Sequence, residues 1–410
     1  MIAIGDRAVA GARALAALSS AEKDAILEKM AAGIDSQREA IKAANEKDLA
    51  AGKEAGLSAA LIDRLELTPG RIDAMIAGIR QVIALDDPVG DKLETIDGPD
   101  GLVIEKVRVP IGVIGIIYES RPNVTADSAA LCLKAGNAVI LRGGKEACFS
   151  NRAVADALAL GAEAGMPEGA IQLISTTDRA AVKELVQLVG RVDLVIPRGG
   201  ESLIRAVTEQ ARVPVIKHYK GVCHVYVDSS ASLDMALSIC ENAKCQRPGV
   251  CNAMETLLVH QQVAPEFLPR LAKRFSELGV ELRGDARAKA IVDAMTAATD
   301  EDWDEEYLDL ILAVSVVDDL DSAIAHIARH GSSHSDAIVA DDKDAARRFV
   351  QQVDASAVYV NASTRFTDGG VFGMGAEIGI STDKLHARGP MGIKELTTYK
   401  YVVHGDGHIR

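Results

Sequence analysis

An α/β fold built on parallel sheets is predicted by three observations. From residue 111 onward, short and wholly apolar runs alternate with helical segments, the pattern of strands buried on both faces. The loops after several of these runs carry glycine and charge, as they do where a doubly wound sheet holds a ligand beyond the carboxyl ends of its strands. At 410 residues the chain exceeds what one hydrophobic core can organise, so two or three domains are expected.

Taken in order, the first 85 residues read as consecutive helices. Ser19-Ser20-Ala21-Glu22 is a capping-box pattern, and Thr68-Pro69 pairs an N-cap with proline at the first helical position. After the break Asp86-Asp87-Pro88-Val89-Gly90, the stretch Gly101–Val109 alternates apolar with charged residues, as a half-exposed ribbon does. Such an edge needs covering, and a second subunit would cover it. The buried runs then follow: Ile111 to Ile117, Ala138 to Leu141, Ile171 to Ile174, Val192 to Ile196, Val213 to Ile216 and Val225 to Val227. Helices are expected between them near 125–135, 149–164, 178–189 and 199–209. From about 229 a second α/β unit is expected, with strands near 254–259, 309–317, 337–340 and 356–360. The β-branched and aromatic stretch from Ile393 to Val403 reads as a last strand.

Bulk chemistry excludes some functions. With 45 Lys+Arg against 59 Asp+Glu, a formal charge of −14 argues against nucleic acid or anionic lipid as the main partner. The first residues have no charged leader followed by an apolar core and no run reaches membrane-spanning length, so a cytoplasmic protein is expected. The six cysteines (132, 148, 223, 240, 245 and 251) form no Cys-x-x-Cys pair, which points to reduced thiols rather than a disulfide framework or a zinc ribbon.

Cys251 stands apart. Pro248 and Gly249 stop the helical run Ser238–Cys245, a strand resumes at Met254, and Cys251 falls on the connector, where functional side chains concentrate. It reads as a nucleophile, with a small buried apolar residue as the alternative. Three loops carry polar or glycine-rich text: Glu119-Ser120-Arg121-Pro122-Asn123, Arg142-Gly143-Gly144-Lys145 and Pro197-Arg198-Gly199-Gly200-Glu201. Glycines there either admit backbone N–H groups to a phosphate or merely turn the chain. His326 and His330, four apart on a helix with His334 just beyond, have a spacing that can hold zinc, although exposed histidines on a helix are commoner.

The ordered motifs Ile111-Gly112-Val113-Ile114-Gly115-Ile116-Ile117-Tyr118-Glu119-Ser120-Arg121-Pro122-Asn123, Arg142-Gly143-Gly144-Lys145-Glu146 and Gln246-Arg247-Pro248-Gly249-Val250-Cys251-Asn252 resemble the aldehyde dehydrogenase superfamily. The resemblance runs almost end to end and includes Asn361-Ala362-Ser363-Thr364-Arg365-Phe366 and Gly389-Pro390-Met391-Gly392. It implies a Rossmann-like cofactor-binding domain (1–92 and 110–228), an α/β catalytic domain (229–391) and a small β oligomerisation ribbon (93–109 and 392–410). It places Cys251 as catalytic nucleophile, Asn123 as oxyanion donor and Glu306 on the nicotinamide ribose. A solvated acidic face is the other reading of Asp304-Glu305-Glu306. Gly143, Gly144, Gly199 and Gly200 fall in the cofactor loops. Arg121 and Arg365 are candidates for the substrate carboxylate or the leaving phosphate, or else for a salt bridge between domains.

Two departures from the superfamily pattern refine the expected activity. Where oxidising members carry a water-activating carboxylate, this chain reads Ile216-Lys217-His218-Tyr219-Lys220-Gly221. Without that base a thioester should exchange with phosphate rather than hydrolyse. Lys217 or His218 could help activate the thiol instead. Lys145, with Arg142, stands near where NAD-using members often carry a glutamate, which favours NADPH. The implied reaction is NADPH-dependent reduction of L-glutamyl 5-phosphate to L-glutamate 5-semialdehyde, in a homo-oligomer functionally coupled to a glutamate 5-kinase. The alternative is an NAD-dependent oxidising semialdehyde dehydrogenase.

Overall fold

The structure, a computed structural model, describes residues 1–409. Its chain forms two compact units, one from Met1–Lys217, Gly373–Gly379 and the residues from Met391 onward, the other from His218–Phe372 and Ile380–Pro390.

The first unit opens with helices Ile2–Leu15, Ser20–Ser36, Arg38–Glu54, Ala59–Leu65 and Pro69–Ile83. Both expected caps form: the Ser19 hydroxyl accepts from Glu22 N–H while the Glu22 carboxylate accepts from Ser19 N–H, and Thr68 accepts from Arg71 N–H ahead of Pro69. A four-stranded parallel sheet follows in the order Ile171–Leu173, Ala138–Gly143, Val113–Tyr118, Leu194–Arg198. Its third strand starts two residues later than the apolar run, because Gly112 turns at φ +129° with its N–H donated to the Asn137 side chain. The expected strand from Val213 to Ile216 shrinks to a single bridge, Val195 to Val215. Pro214 lends its carbonyl to Val195 but has no N–H to continue a ladder. The helix expected over 149–164 is α-helical only through Cys148–Leu158 and tightens to a 3₁₀ segment over Ala159–Ala164. The one expected over 178–189 shortens to Ala180–Leu185.

The ribbon is a three-stranded antiparallel sheet in which Val103–Pro110 lies between Lys92–Asp97 and Thr397–His404. Leu93, Ile96, Tyr399, Tyr401 and Val403 remain exposed on it.

The second unit holds a seven-stranded, all-parallel sheet in the order Thr296–Ala297, Glu281–Gly284, Ile311–Val317, Met254–His260, Cys223–Val227, Ser335–Val339, Ala357–Val360. The run Val225 to Val227, expected beside the first sheet, is therefore central to the second, and this unit begins at His218 rather than 229. Thr296–Ala297 and Glu281–Gly284 went unread, the first because it is only two residues long and the second because it is short and carries charge. Strand alternation sends Val225, Val227, Leu257 and Val259 to a core under helices Leu233–Cys245 and Ala264–Glu277. It sends Tyr226, Leu258 and Ile338 to a core under Leu320–His330 and Lys343–Gln352. Helices cover both faces, as the apolar runs require.

Candidate active site

The connector from Gln246 to Ala253 is held from several directions. Asn252 donates to the Thr367 carbonyl at 2.8 Å and accepts from the Arg365 guanidinium, whose Nε reaches Gln246 at 2.8 Å. Thr364 Oγ1 donates to the Asn252 carbonyl at 2.7 Å. Beneath Cys251, the buried Cys223 thiol donates to its carbonyl at 3.2 Å. A Cβ on Gly221 would lie 2.0 Å from that same oxygen, so only glycine lets the two backbones approach. The result is a fixed, part-buried Cys251. The other five cysteines have thiol pKa values pushed up, chiefly by burial, which keeps them protonated and inert.

Two imidazoles complete the surroundings. Ligand atoms of His218, Cys251 and His334 all lie within 4.8 Å of one another, and the group contains no carboxylate. His218 Nδ1 sits 2.9 Å from the Ile380 carbonyl, which can only accept, so the lone pair of that ring is on Nε2. His334 is fully buried, its Nδ1 2.9 Å from Ser335 Oγ, and Nε2 has no hydrogen-bond partner among the described residues. Burial drives its pKa down to about 3, so the ring is neutral. The three residues converge because each lies just before one of three adjacent parallel strands: Cys223–Val227, Met254–His260 and Ser335–Val339.

His334 therefore does not join His326 and His330, as their spacing had allowed. Those two rings lie tilted against each other with centroids 4.7 Å apart; His330 accompanies Asp304 at 2.8 Å, and Trp303 meets His326 edge-on. Asp304 and Glu305 are exposed and Glu306 is part-buried. Its neighbours are pinned: Tyr307 donates to Asp302, and Leu308 N–H reaches Glu255, whose buried carboxylate pairs with buried Lys244. Desolvation raises the Glu255 pKa and lowers that of Lys244, each partly offset by the partner's charge.

In the first unit, Asn123 opens helix Asn123–Lys134, and its amide donates to Asp127 one turn on at 2.8 Å. An amide NH₂ has two hydrogens, so this bond orients the second outward. Arg121 is part-buried in the turn before it. Both glycine loops face carboxylates. Gly200 N–H donates to Glu119 at 3.1 Å, and Glu146, beside Gly144, accepts from Ser120 N–H and Oγ. Gly143 is packed too closely on Asn151 to carry a Cβ. Arg142 corrects the expectation of a direct phosphate contact: its guanidinium is buried and donates to the carbonyls of Gly143 and Thr177. Lys145 is exposed.

Gly221, Cys223 and Asp127 were not singled out by the sequence, and His334 was grouped there with His326 and His330 rather than with Cys251. Only Asp127 had a local signal, its i+4 spacing from Asn123 on one helix face. Arg365, read as a substrate ligand or a bridge between domains, instead braces the Cys251 connector from within its own unit.

Residues 2–310 match the aldehyde dehydrogenase family model. The chain belongs to the aldehyde dehydrogenase family. Members of this family use a nicotinamide cofactor. The chain is 59% identical over 407 residues to a γ-glutamyl phosphate reductase of Moorella thermoacetica, covering 99% of this chain and 97% of that one. It is similar to the crystal structure of γ-glutamyl phosphate reductase from Thermotoga maritima, with 47% identity, a TM-score of 0.98, and 100% and 99% of the two chains covered. The Saccharomyces cerevisiae γ-glutamyl phosphate reductase structure matches at 34% identity and TM-score 0.54, covering 99% and 97%. In this family member the parallel strands, their glycine turns and exposed Lys145 fit a dinucleotide's phosphates, whereas Arg142 is already engaged. No helix among the described residues is long and apolar enough to cross a membrane.

Proposed function

We propose that this chain is an NADPH-dependent L-glutamyl 5-phosphate reductase that releases L-glutamate 5-semialdehyde and phosphate, a step of proline biosynthesis. The observation that carries the reading is the surroundings of Cys251: a fixed connector and two imidazoles in a ligand cluster that contains no acid. Near-identity in length to the reductases of Moorella thermoacetica and Thermotoga maritima supports it.

His218 Nε2 takes the proton of the Cys251 thiol, and the sulfur attacks the acyl carbon. The C–S bond forms, the carbon–oxygen bond to phosphate breaks, and a thioester remains. A bound reduced nicotinamide supplies hydride. Once the thioester were reduced, the C–S bond of the thiohemiacetal on Cys251 would break, the aldehyde would leave, and the sulfur would take back the proton held on His218. At both tetrahedral stages the Asn123 amide and the Cys251 backbone N–H are donors to the oxyanion. Glu306 holds the nicotinamide ribose; Gly143, Gly144, Gly199 and Gly200 admit the phosphates, and Lys145 reads the 2′-phosphate. Arg121 takes the substrate carboxylate, with Arg365 adding positive charge beside Cys251. The exposed apolar side chains of the ribbon form a homo-oligomer interface, and the enzyme works in the cytoplasm beside a glutamate 5-kinase that supplies its unstable acyl phosphate.

The test is the reverse reaction, with glutamate 5-semialdehyde, phosphate and NADP, following NADPH absorbance. Wild type should require phosphate, and Cys251→Ala should lose activity by a factor on the order of 10⁴ or more. Equal rates without phosphate would select the oxidising dehydrogenase instead.

A further inference from the structure

A thiol and two imidazoles form a ligand set suited to zinc, and the geometry goes beyond mere proximity. His218 is already held by a hydrogen bond from Nδ1 to the Ile380 carbonyl at 2.9 Å, the arrangement that orients the other nitrogen of a metal-binding histidine. His334 is likewise held through Nδ1 by Ser335, which continues to Thr367 Oγ1 at 2.6 Å and from there to Tyr359 at 2.6 Å. Its Nε2 is fully buried without a partner among the described residues, an arrangement that is costly unless something is to be met there.

We propose that His218, Cys251 and His334 form a binding site for a thiophilic divalent cation, zinc in particular, which switches the enzyme off by capturing its nucleophile. Tetrahedral zinc, with Zn–N about 2.0 Å and Zn–S about 2.3 Å, sets two nitrogens and one sulfur about 3.3–3.5 Å apart. The three donors lie within 4.8 Å of one another, so binding would draw them together by about an ångström. Binding replaces the Cys251 S–H bond by a metal–thiolate bond and releases one proton to solvent, with no change of oxidation state. The fourth position is left to water or to substrate phosphate. The binding site stands on geometry alone; the inhibition rests on the proposed role of Cys251 as nucleophile.

Cobalt(II) and zinc(II) salts added to reduced, chelator-free protein test the site. One equivalent of cobalt per chain should produce a thiolate-to-metal charge-transfer band in the near ultraviolet, displaced by zinc. Zinc should also protect Cys251 from iodoacetamide and abolish reductase activity until a chelator restores it. Cys251→Ser should remove the band, and His218→Asn or His334→Asn should each weaken binding at least roughly 100-fold, with circular dichroism reporting the fold. His330→Ala should leave both binding and activity as they are. A band that persists in Cys251→Ser, or zinc binding lost in His330→Ala but not in the His218 and His334 variants, overturns the site. Cobalt bound through Cys251 with full activity retained keeps the site and overturns Cys251 as nucleophile instead.

Discussion

The two parallel sheets carry their functional candidates at opposite ends of their strands. In the four-stranded sheet the candidates follow the strands: Arg121 and Asn123 after Val113–Tyr118, Gly144 and Lys145 after Ala138–Gly143, Gly199 and Gly200 after Leu194–Arg198. In the seven-stranded sheet they precede them, with Gly221 before Cys223, Cys251 before Met254 and His334 before Ser335. The difference is one of construction. At the carboxyl ends, backbone N–H groups and helix starts offer themselves to an anion, and local sequence is enough to build the site. At the amino ends, a nucleophile needs fixed side chains, and these come from segments far apart in the chain.

The sharpest way to break this contrast is Gly221→Ala. An added Cβ would meet the Cys251 carbonyl at 2.0 Å, with backbone on both sides and no flexible side-chain end to give way. Overpacking costs about 1–3 kcal/mol of stability. Displacing the nucleophile by about an ångström should lower kcat by about 100-fold or more. Stability and kcat measured on the same variant decide it. Full activity would mean that the connector is not fixed from below.

Next in size is Asp127→Asn, which tests the carboxyl-edge site by changing how Asn123 is aimed. Kcat should fall about tenfold, less than the roughly hundredfold expected for Asn123→Ala, because the donor remains but is held only by a neutral amide oxygen in place of a charged carboxylate. Burial raises the Asp127 carboxyl from 3.8 to about 6. Between those values the folded chain holds a proton that the unfolded chain has released, so this group's contribution makes stability fall as pH rises from about 4 to about 6. Above about 6 the ionised carboxylate accepts from Asn123 with its full charge; below it only a neutral, weaker acceptor remains. Wild-type kcat should therefore decline on acidification through pH 6, and the limb should vanish in Asp127→Asn. A limb unchanged in the variant would assign it to another group.

What the sequence revealed follows the same division. The apolar runs located the strands of both sheets because two-sided burial leaves no room for polar residues. The errors fell where one residue overrode a run, as Pro214 does, or where strands were too short and charged to stand out, as at Glu281–Gly284. Cys251 was legible because proline and glycine isolate it on a connector. His334 was not. Its number suggested a zinc spacing with His326 and His330, but helix Leu320–His330 ends before it, and the next strand carries it to Cys251 instead. Arg142 misled in the other direction, since charge in a glycine loop says nothing about which way the guanidinium turns.

The smallest effect belongs to Lys145→Ala. Lys145 is exposed, while Arg142 next to it is buried against carbonyls, so any cation that meets a 2′-phosphate in this loop is the lysine. An exposed charge contact is worth at most about 1 kcal/mol, so KM for NADPH should rise about fivefold while kcat holds. KM for NADH, which lacks that phosphate, should stay put, and the NADPH effect should fade as salt is added. Equal changes for both nucleotides would show that Lys145 shapes the loop rather than reads the phosphate. The carboxyl edge would then owe its anion preference to backbone N–H groups alone, with Glu119 and Glu146 yielding their donors as the nucleotide enters.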